Sequence, residues 1–223
     1  SASFSNTFWN VNGNAGSNPT NGAFLGTTDN LPVEFRVNGV RALRLEPHFI
    51  SPNVIAGHRW NAVSNGVFGA TIAGGGSSDY PNRSAGEYAT VLGGYGNTAN
   101  GHASTAMGFN TTAGGRFSTA AGAAALASGN SSIAMGNATT ASGDYSAAMG
   151  NGNTASGESS TALGWGTAAS ALGATALGVA TQASGERSTA SGFLSVASGF
   201  CSTAIGRENV AGWKKLVGWC AAM

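Results

Sequence analysis

Residues 129–156 read GNSSIAMGNATTAS followed by GDYSAAMGNGNTAS, two periods of fourteen residues in which glycine opens each half. Read outward from here, a seven-residue unit recurs seventeen times from 94 to 212 without an insertion or a deletion. Such self-similarity marks a repeat architecture and takes precedence over any local pattern. Each unit runs glycine, two variable residues, a small polar residue, a variable residue, alanine and a closing residue. Ala171 is the sole departure from the opening glycine, and the sixth position is alanine in every unit. The fourth is serine, threonine or asparagine except at Ala125 and Ala174.

The closing position doubles the period. It alternates between Met107, Ala121, Met135, Met149, Leu163, Leu177, Ser191 and Ile205 in one series and Asn100, Gly114, Ser128, Ser142, Ser156, Ser170, Ser184 and Ser198 in the other. A glycine every seven residues would cost a helix about 1 kcal/mol each, and no wide apolar stripe compensates. Short strands fit, because alternate side chains face opposite ways. The fourth and sixth positions then share one face, and the fifth and seventh the other. The pattern predicts a solenoid of fourteen-residue coils whose cramped interior is filled by Ala106, Ala120, Ala134, Ala148, Ala162, Ala176, Ala190 and Ala204. Glycine is expected at the corners, for positive φ or for close approach of a neighbouring segment.

The runs Asn130-Ser-Ser-Ile-Ala-Met-Gly136, Asp144-Tyr-Ser-Ala-Ala-Met-Gly150 and Glu158-Ser-Ser-Thr-Ala-Leu-Gly164, each followed by a unit ending Ala-Ser-Gly, resemble the head repeats of YadA-type trimeric autotransporter adhesins. The resemblance implies an all-β, left-handed parallel β-roll, three chains side by side, and a non-enzymatic role in attachment to a host, matrix or abiotic surface. It also implies an extracellular, cell-surface location, with a receptor it does not name. Fold alone does not fix function. Two other readings stand beside it: a phage or tail-fibre-like trimer, and an ice-binding solenoid presenting Thr105, Thr119, Thr161, Thr175, Thr189 and Thr203 along one face. The methionines and leucines beside that row interrupt a flat hydroxyl surface.

Alanine fillers bury little apolar area, and a narrow roll has a poor ratio of core to surface. Met107, Met135, Met149, Leu163, Leu177 and Ile205 recur on the outward side of one strand row and form an apolar stripe of the kind that marks an interface. The stripe predicts an oligomer; the resemblance supplies the number three.

Only 9% of the chain is charged, against about a quarter in ordinary domains, and the net charge is +1. Neither nucleic acid nor an anionic membrane is an expected partner. No apolar run approaches the ~20 residues of a spanning helix, so no membrane insertion by this segment is expected. Cys201 and Cys220 are too few for a disulfide framework, and both a bond and two unpaired residues remain open.

Four segments are expected: a hairpin knob at 1–50, wide irregular coils at 51–93, the regular roll at 94–212, and an end-cap or neck at 213–223. The first uses a bulkier vocabulary, with Phe4, Phe8, Trp9, Phe24 and Phe35. A distinct terminal unit is what an open solenoid end requires. Around Asn38-Gly39 the sequence alternates as a hairpin. A three-residue loop, Asn38 to Val40, would place Val33 by Leu45, Glu34 by Arg44 and Phe35 by Leu43, matching apolar with apolar and acid with base. Phe24 to Asn30 followed by this hairpin is similar to modules ahead of β-rolls in bacterial surface and tail-fibre-like proteins. The fragments ending at Gly57, Gly74, Gly93 and Gly108 align as early coils, with Ile72 and Val91 where alanine stands later. Residues 77–84 are expected as an exposed loop.

No catalytic or metal constellation is legible. His48, His58 and His102 lack metal-ligand spacing, and Gly74-Gly-Gly76 lacks the lysine and hydroxyl of a phosphate loop. The tryptophans Trp9, Trp60, Trp165, Trp213 and Trp219 are expected in core or interface packing. The Asn-x-Ser/Thr triplets at Asn82, Asn110, Asn130 and Asn137 are the chance product of a Ser/Thr-rich repeat. Lys214-Lys215 reads as a solvated face. No cofactor is expected, and no enzymatic turnover.

Overall fold

The computed structural model describes Thr20 and residues 24–212. The expectations for Phe4, Phe8, Trp9, Trp213, Lys214, Lys215, Trp219 and Cys220 lie outside the described residues. The described chain is an all-β parallel solenoid with two sheets, of 13 and 11 strands, running side by side along its length. It opens with β1 (Val33–Val37), β2 (Val40–Glu46), β3 (Asn53–Ala56), β4 (Ala62–Val63), β5 (Thr71–Ile72), β6 (Arg83–Ser84), β7 (Thr90–Tyr95), β8 (Thr98–Ala99), β9 (Thr105–Phe109) and β10 (Thr112–Ala113). From β9 onward each coil repeats a five-residue strand on the long sheet and a two-residue strand on the short one, ending at Thr203–Arg207 and Val210–Ala211. At about 4.8 Å per strand, the thirteen strands of the long sheet extend roughly 60 Å.

Strand alternation sets what each position sees. Ala106, Ala120, Ala134, Ala148, Ala162, Ala176 and Ala190 are fully buried, and Ala204 nearly so. Ser104, Thr111 and their counterparts at the fourth position are buried beside them, except Asn209 in the last coil, which is exposed. In the early coils the same interior column is Ile55, Ile72 and Val91, paired in register with one another and then with Ala106. Longer corners open the roll there, and larger side chains fill it. The extra residue between Val91 and Ala106 is absorbed as a bulge at Leu92, so Gly94, not Gly93, pairs with Gly108. Residues 77–84 are not all loop: Asn82 and Ser84 are buried and Arg83–Ser84 forms β6.

The corners depart from a simple glycine turn. A Cβ on Gly101 would meet the carbonyl oxygen of Gly115 at 1.8 Å, although Gly101 does not take positive φ. Its role is close approach. The left-handed conformation falls two residues later, on Ala103 (φ 51°), Phe117 (φ 57°), Ser131 (φ 52°) and Tyr145 (φ 59°). At the other corner Gly108 combines both demands, with φ 114° and a would-be Cβ at 2.0 Å from the Gly122 carbonyl. Among the described residues, none of the non-glycine residues at positive φ is β-branched, in keeping with the steric cost of that region.

A polar ladder runs inside the second corner. Asn97 donates from Nδ2 to the carbonyls of Gly93 (2.8 Å) and Gly108 (2.7 Å). Its Oδ1 accepts from the Thr111 amide (3.1 Å) and hydroxyl (2.7 Å). Asn61 and Asn82 bond in the same manner in the coils above, and Asn153 repeats it further on. Hydroxyls in these columns are less uniformly bonded: Ser118 and Ser146 donate to the Gly115 and Gly143 carbonyls, whereas the buried hydroxyl of Ser132 has no protein partner. Asn97→Ala should therefore cost about 2–4 kcal/mol by stranding buried backbone groups, whereas Ser132→Ala should change stability by less than about 0.5 kcal/mol. Chemical denaturation of both variants checks the contrast, and equal losses would refute it.

β1 and β2 form an antiparallel hairpin that extends the long sheet through β3. Val33 pairs with Leu45, Glu34 with Arg44 and Phe35 with Leu43, but the loop is the two-residue Asn38-Gly39, with φ of 50° and 74°. Val37 pairs with Val40, and a bulge at Ala42 restores the apolar register. The expected three-residue loop thus becomes a tighter turn plus one bulged residue.

Candidate interaction surfaces

Three outward columns run down the long sheet, each fixed by residue-to-residue pairing. The first is Thr90, Thr105, Thr119, Ile133, Ala147, Thr161, Thr175, Thr189 and Thr203. The second holds Met107, Ala121, Met135, Met149, Leu163, Leu177, Ser191 and Ile205. The third runs from Tyr95 and Phe109 through Trp165, Val179 and Phe193 to Arg207. No charge interrupts the first two, and the third stays uncharged until its last residue.

The chain alone leaves this face open to water. Met135 and Met149 are 38% and 39% exposed and Ile205 63% exposed, while Met107, Leu163 and Leu177 are half-buried by their neighbours. Trp165, in the third column, is exposed, and so is Trp60, which carries the Arg59 guanidinium 5.3 Å above its ring. Neither is in the core, where a roll filled by alanine has no room for an indole, which leaves interface packing as the expectation for both. The outward side of the short sheet is hydroxyl-rich instead, with Ser142, Ser156 and Ser170 exposed.

The hairpin joins both surfaces. Val33 and Leu45 continue the first outward column through Val54 and Thr71, and Phe35 and Leu43 lie beside them. On the opposite side Glu34 and Arg44 stand in register with the buried Ile55, head of the interior column. Arg44 contacts Glu34 at 3.3 Å and Glu46 at 2.8 Å, and Arg36 reaches Glu34 at 2.6 Å. The hydrogen bond from Arg36, aided by the charges of Arg44 and Arg41, holds the Glu34 carboxyl below its ordinary range against a smaller desolvation penalty. Arg41 donates to the carbonyls of Arg59 and Asn61, both at 2.7 Å, which ties the hairpin to the segment entering the short sheet. The 260 Å³ recess between them is lined by Glu34, Arg36, Val40, Arg41 and Arg59 and is wide open.

Most charged side chains of the regular coils gather at the first corner, Arg207 and Glu208 at the other being the exceptions. Arg116, Asp144, Glu158 and Glu186 occupy one corner position, away from the outward columns. There the amide and Nδ2 of Asn130 hydrogen-bond to Asp144 and hold its carboxyl below its usual range. Among the described residues no group of three or more His, Cys, Asp or Glu could hold a metal ion. His48 and His102 belong to a row of packed rings that spacing in the sequence did not reveal. The row joins His48 to Phe68, Phe68 to Tyr88, Tyr88 to His102 and His102 to Phe117. Early coils of unequal length hid that alignment. Of the Asn-x-Ser/Thr triplets, Asn82 is fully buried and belongs to the interior ladder.

Five overlapping stretches, 84–111, 99–125, 113–139, 127–153 and 141–167, and a sixth at 169–195 match the family model of the YadA head domain repeat, which describes two copies at a time. No curated protein matches the chain.

Proposed function

Because residues 84–195 are a YadA-type head, an adhesin repeat of trimeric autotransporters, we propose that this chain is the attachment-bearing part of a trimeric surface adhesin. Three left-handed rolls stand parallel with their long sheets turned toward a common axis. The observation that carries this reading is the uncharged outward face, whose aliphatic column Met135, Met149, Leu163 and Leu177 is continuous and in register. Closed symmetry lets each chain bury the stripe against its neighbours. Each such side chain removed from water contributes roughly 1.5–3 kcal/mol.

In this arrangement the hairpin closes the end of the roll. Glu34 and Arg44 cover the interior column headed by Ile55, and Arg41 ties the hairpin across to the carbonyls of Arg59 and Asn61. Charged and hydroxylated corners face outward and meet the target. The trimer has no chemistry to perform; its work is to hold a rigid rod away from the cell and present a repeated surface.

Attachment is tested by coating inert beads with the chain and measuring retention on immobilised matrix proteins, cultured cells and bare plastic. Retention on at least one surface well above that of beads coated with an unrelated protein is expected. Retention equal to that control on all three would overturn the adhesin reading.

A further inference from the structure

The last described coil carries a cysteine whose sulfur is already engaged. Cys201 is disulfide-bonded, and the chain holds one other cysteine, Cys220. Cys201 takes φ 52° at the corner position that Phe117, Tyr145 and Arg187 occupy in earlier coils. That position turns its side chain outward, since Phe117 is 55% and Tyr145 64% exposed. A partner sulfur therefore reaches Cys201 from outside the roll and not through its alanine-filled interior.

Connectivity favours Cys220 of the same chain. In a trimer, three equivalent copies of Cys201 cannot all pair with one another. The described roll ends at Gly212, where a Cβ would lie 3.7 Å from the Ser198 Oγ. Ser198 and Gly199 both donate to the Ala211 carbonyl, at 2.8 and 3.3 Å, so this end of the chain is held against the corner that carries Cys201. The eight steps from Gly212 to Cys220 span at most about 26–29 Å, ample to return to that corner. Continuing the fourteen-residue period would instead set Cys220 on Gly206, at the opposite end of the strand Thr203–Arg207. The sequence abandons the period at the same place. Trp213 stands where glycine opens a unit, Leu216 where a small polar residue belongs and Gly218 where alanine is invariant.

The final coil also has a surface to cover. Thr189, Val196 and Ser198 donate forward to the carbonyls of Ser202, Asn209 and Ala211. Their counterparts one period later are Thr203, Val210 and Gly212, whose amides point beyond the last described strands. An open sheet edge of this kind is a template for pairing with another chain. Ile205 and Val210 are the most exposed aliphatic residues of the regular coils, at 63% and 70%. The segment 213–219 brings Trp213, Leu216, Val217 and Trp219 as an apolar complement.

We propose that Cys201 and Cys220 of one chain form a disulfide clasp that holds residues 213–219 over the final coil and closes its open edge. Two thiols give up two protons and two electrons as the sulfur–sulfur bond forms. Thiol–disulfide exchange passes them to a disulfide-bearing oxidant, which leaves as a dithiol. Such a bond belongs to an oxidising compartment. The clasp does not depend on what the roll attaches to.

The bond is tested on the full chain made in an oxidising compartment, denatured with iodoacetamide and weighed intact. No added alkyl group is expected before reduction and two after it, with a single-chain band on a non-reducing denaturing gel. Proteolysis should release a linked peptide pair containing Cys201 and Cys220. Two alkyl groups without reductant, or chains linked to one another, would overturn the clasp. Closure of the edge is read by hydrogen exchange. In Cys220→Ser, a peptide spanning 199–212 should exchange at least about fivefold faster than in the oxidised chain, with 157–170 unchanged. Cys201→Ser should reproduce the change, because either substitution removes the same bond. Exchange at 199–212 that is the same in the oxidised chain and in both variants would overturn the closure.

Discussion

Replacing Met149 and Leu163 together by aspartate should dissociate or unfold the assembly, while aspartates at Ser156 and Ser170 should leave it intact. The two pairs are matched in spacing, each one coil apart, and differ in which sheet they leave. Met149 and Leu163 are paired neighbours in the aliphatic column of the long sheet. Ser156 and Ser170 are exposed on the outer side of the short one. In the proposed trimer the first pair places six carboxylates around one axis in a drying interface. Each substitution forfeits about 1.5–3 kcal/mol of burial and adds a charge with no partner, whose desolvation costs several kcal/mol more. The serine pair adds solvated charges at roughly no cost. Light scattering on both variants decides between the faces. If the serine pair breaks the oligomer and the Met/Leu pair does not, the assignment of inner and outer sheets is inverted.

The second large effect concerns the stacking of coils. Gly136→Ala should destabilise the roll by roughly 2–4 kcal/mol, because it meets two penalties at once. Gly136 takes φ 123°, and a Cβ there would lie 2.0 Å from the carbonyl oxygen of Gly150. That carbonyl belongs to the neighbouring coil, so it cannot withdraw without pulling its own strand out of register. The other corner carries only the second penalty: a Cβ on Gly185 would lie 2.1 Å from the Gly199 carbonyl oxygen, but Gly185 takes no positive φ, and Ala171 already stands at this position one coil earlier. Thermal melting of Gly136→Ala beside Gly185→Ala checks this order. Equal losses at the two corners would show that close approach alone, and not positive φ, governs both.

The regular coils were legible because they carry one requirement per position. Invariant alanine marks a cavity one methyl wide, and opening glycine marks a carbonyl at contact distance. The alternating closing residue separates the sheet with the aliphatic column from the hydroxylated one. Where coil length varies, the sequence is less transparent. Ile55, Ile72 and Val91 could be aligned by their neighbours, but the bulge at Leu92 shifts the following glycine by one residue, which spacing alone does not reveal.

The hairpin taught a similar lesson. Apolar matching correctly paired Val33 with Leu45 and Phe35 with Leu43, yet could not distinguish a longer loop from a tight turn followed by a bulge at Ala42. Corner conformation was hidden for another reason. Left-handed residues such as Ala103, Phe117 and Tyr145 have no shared identity, since their backbone is imposed by the coils on either side. The ring row from His48 to Phe117 was missed because its members come from coils of unequal length.

The most direct test of the trimeric roll is the solution mass and shape of the unaltered chain, read by light scattering coupled to small-angle X-ray scattering. The account predicts a mass three times the 21.9 kDa of one chain and an elongated particle whose long axis reaches about 60 Å through the thirteen-strand sheet. A stable particle of one chain mass, with the column from Met107 to Ile205 left in water, would contradict it.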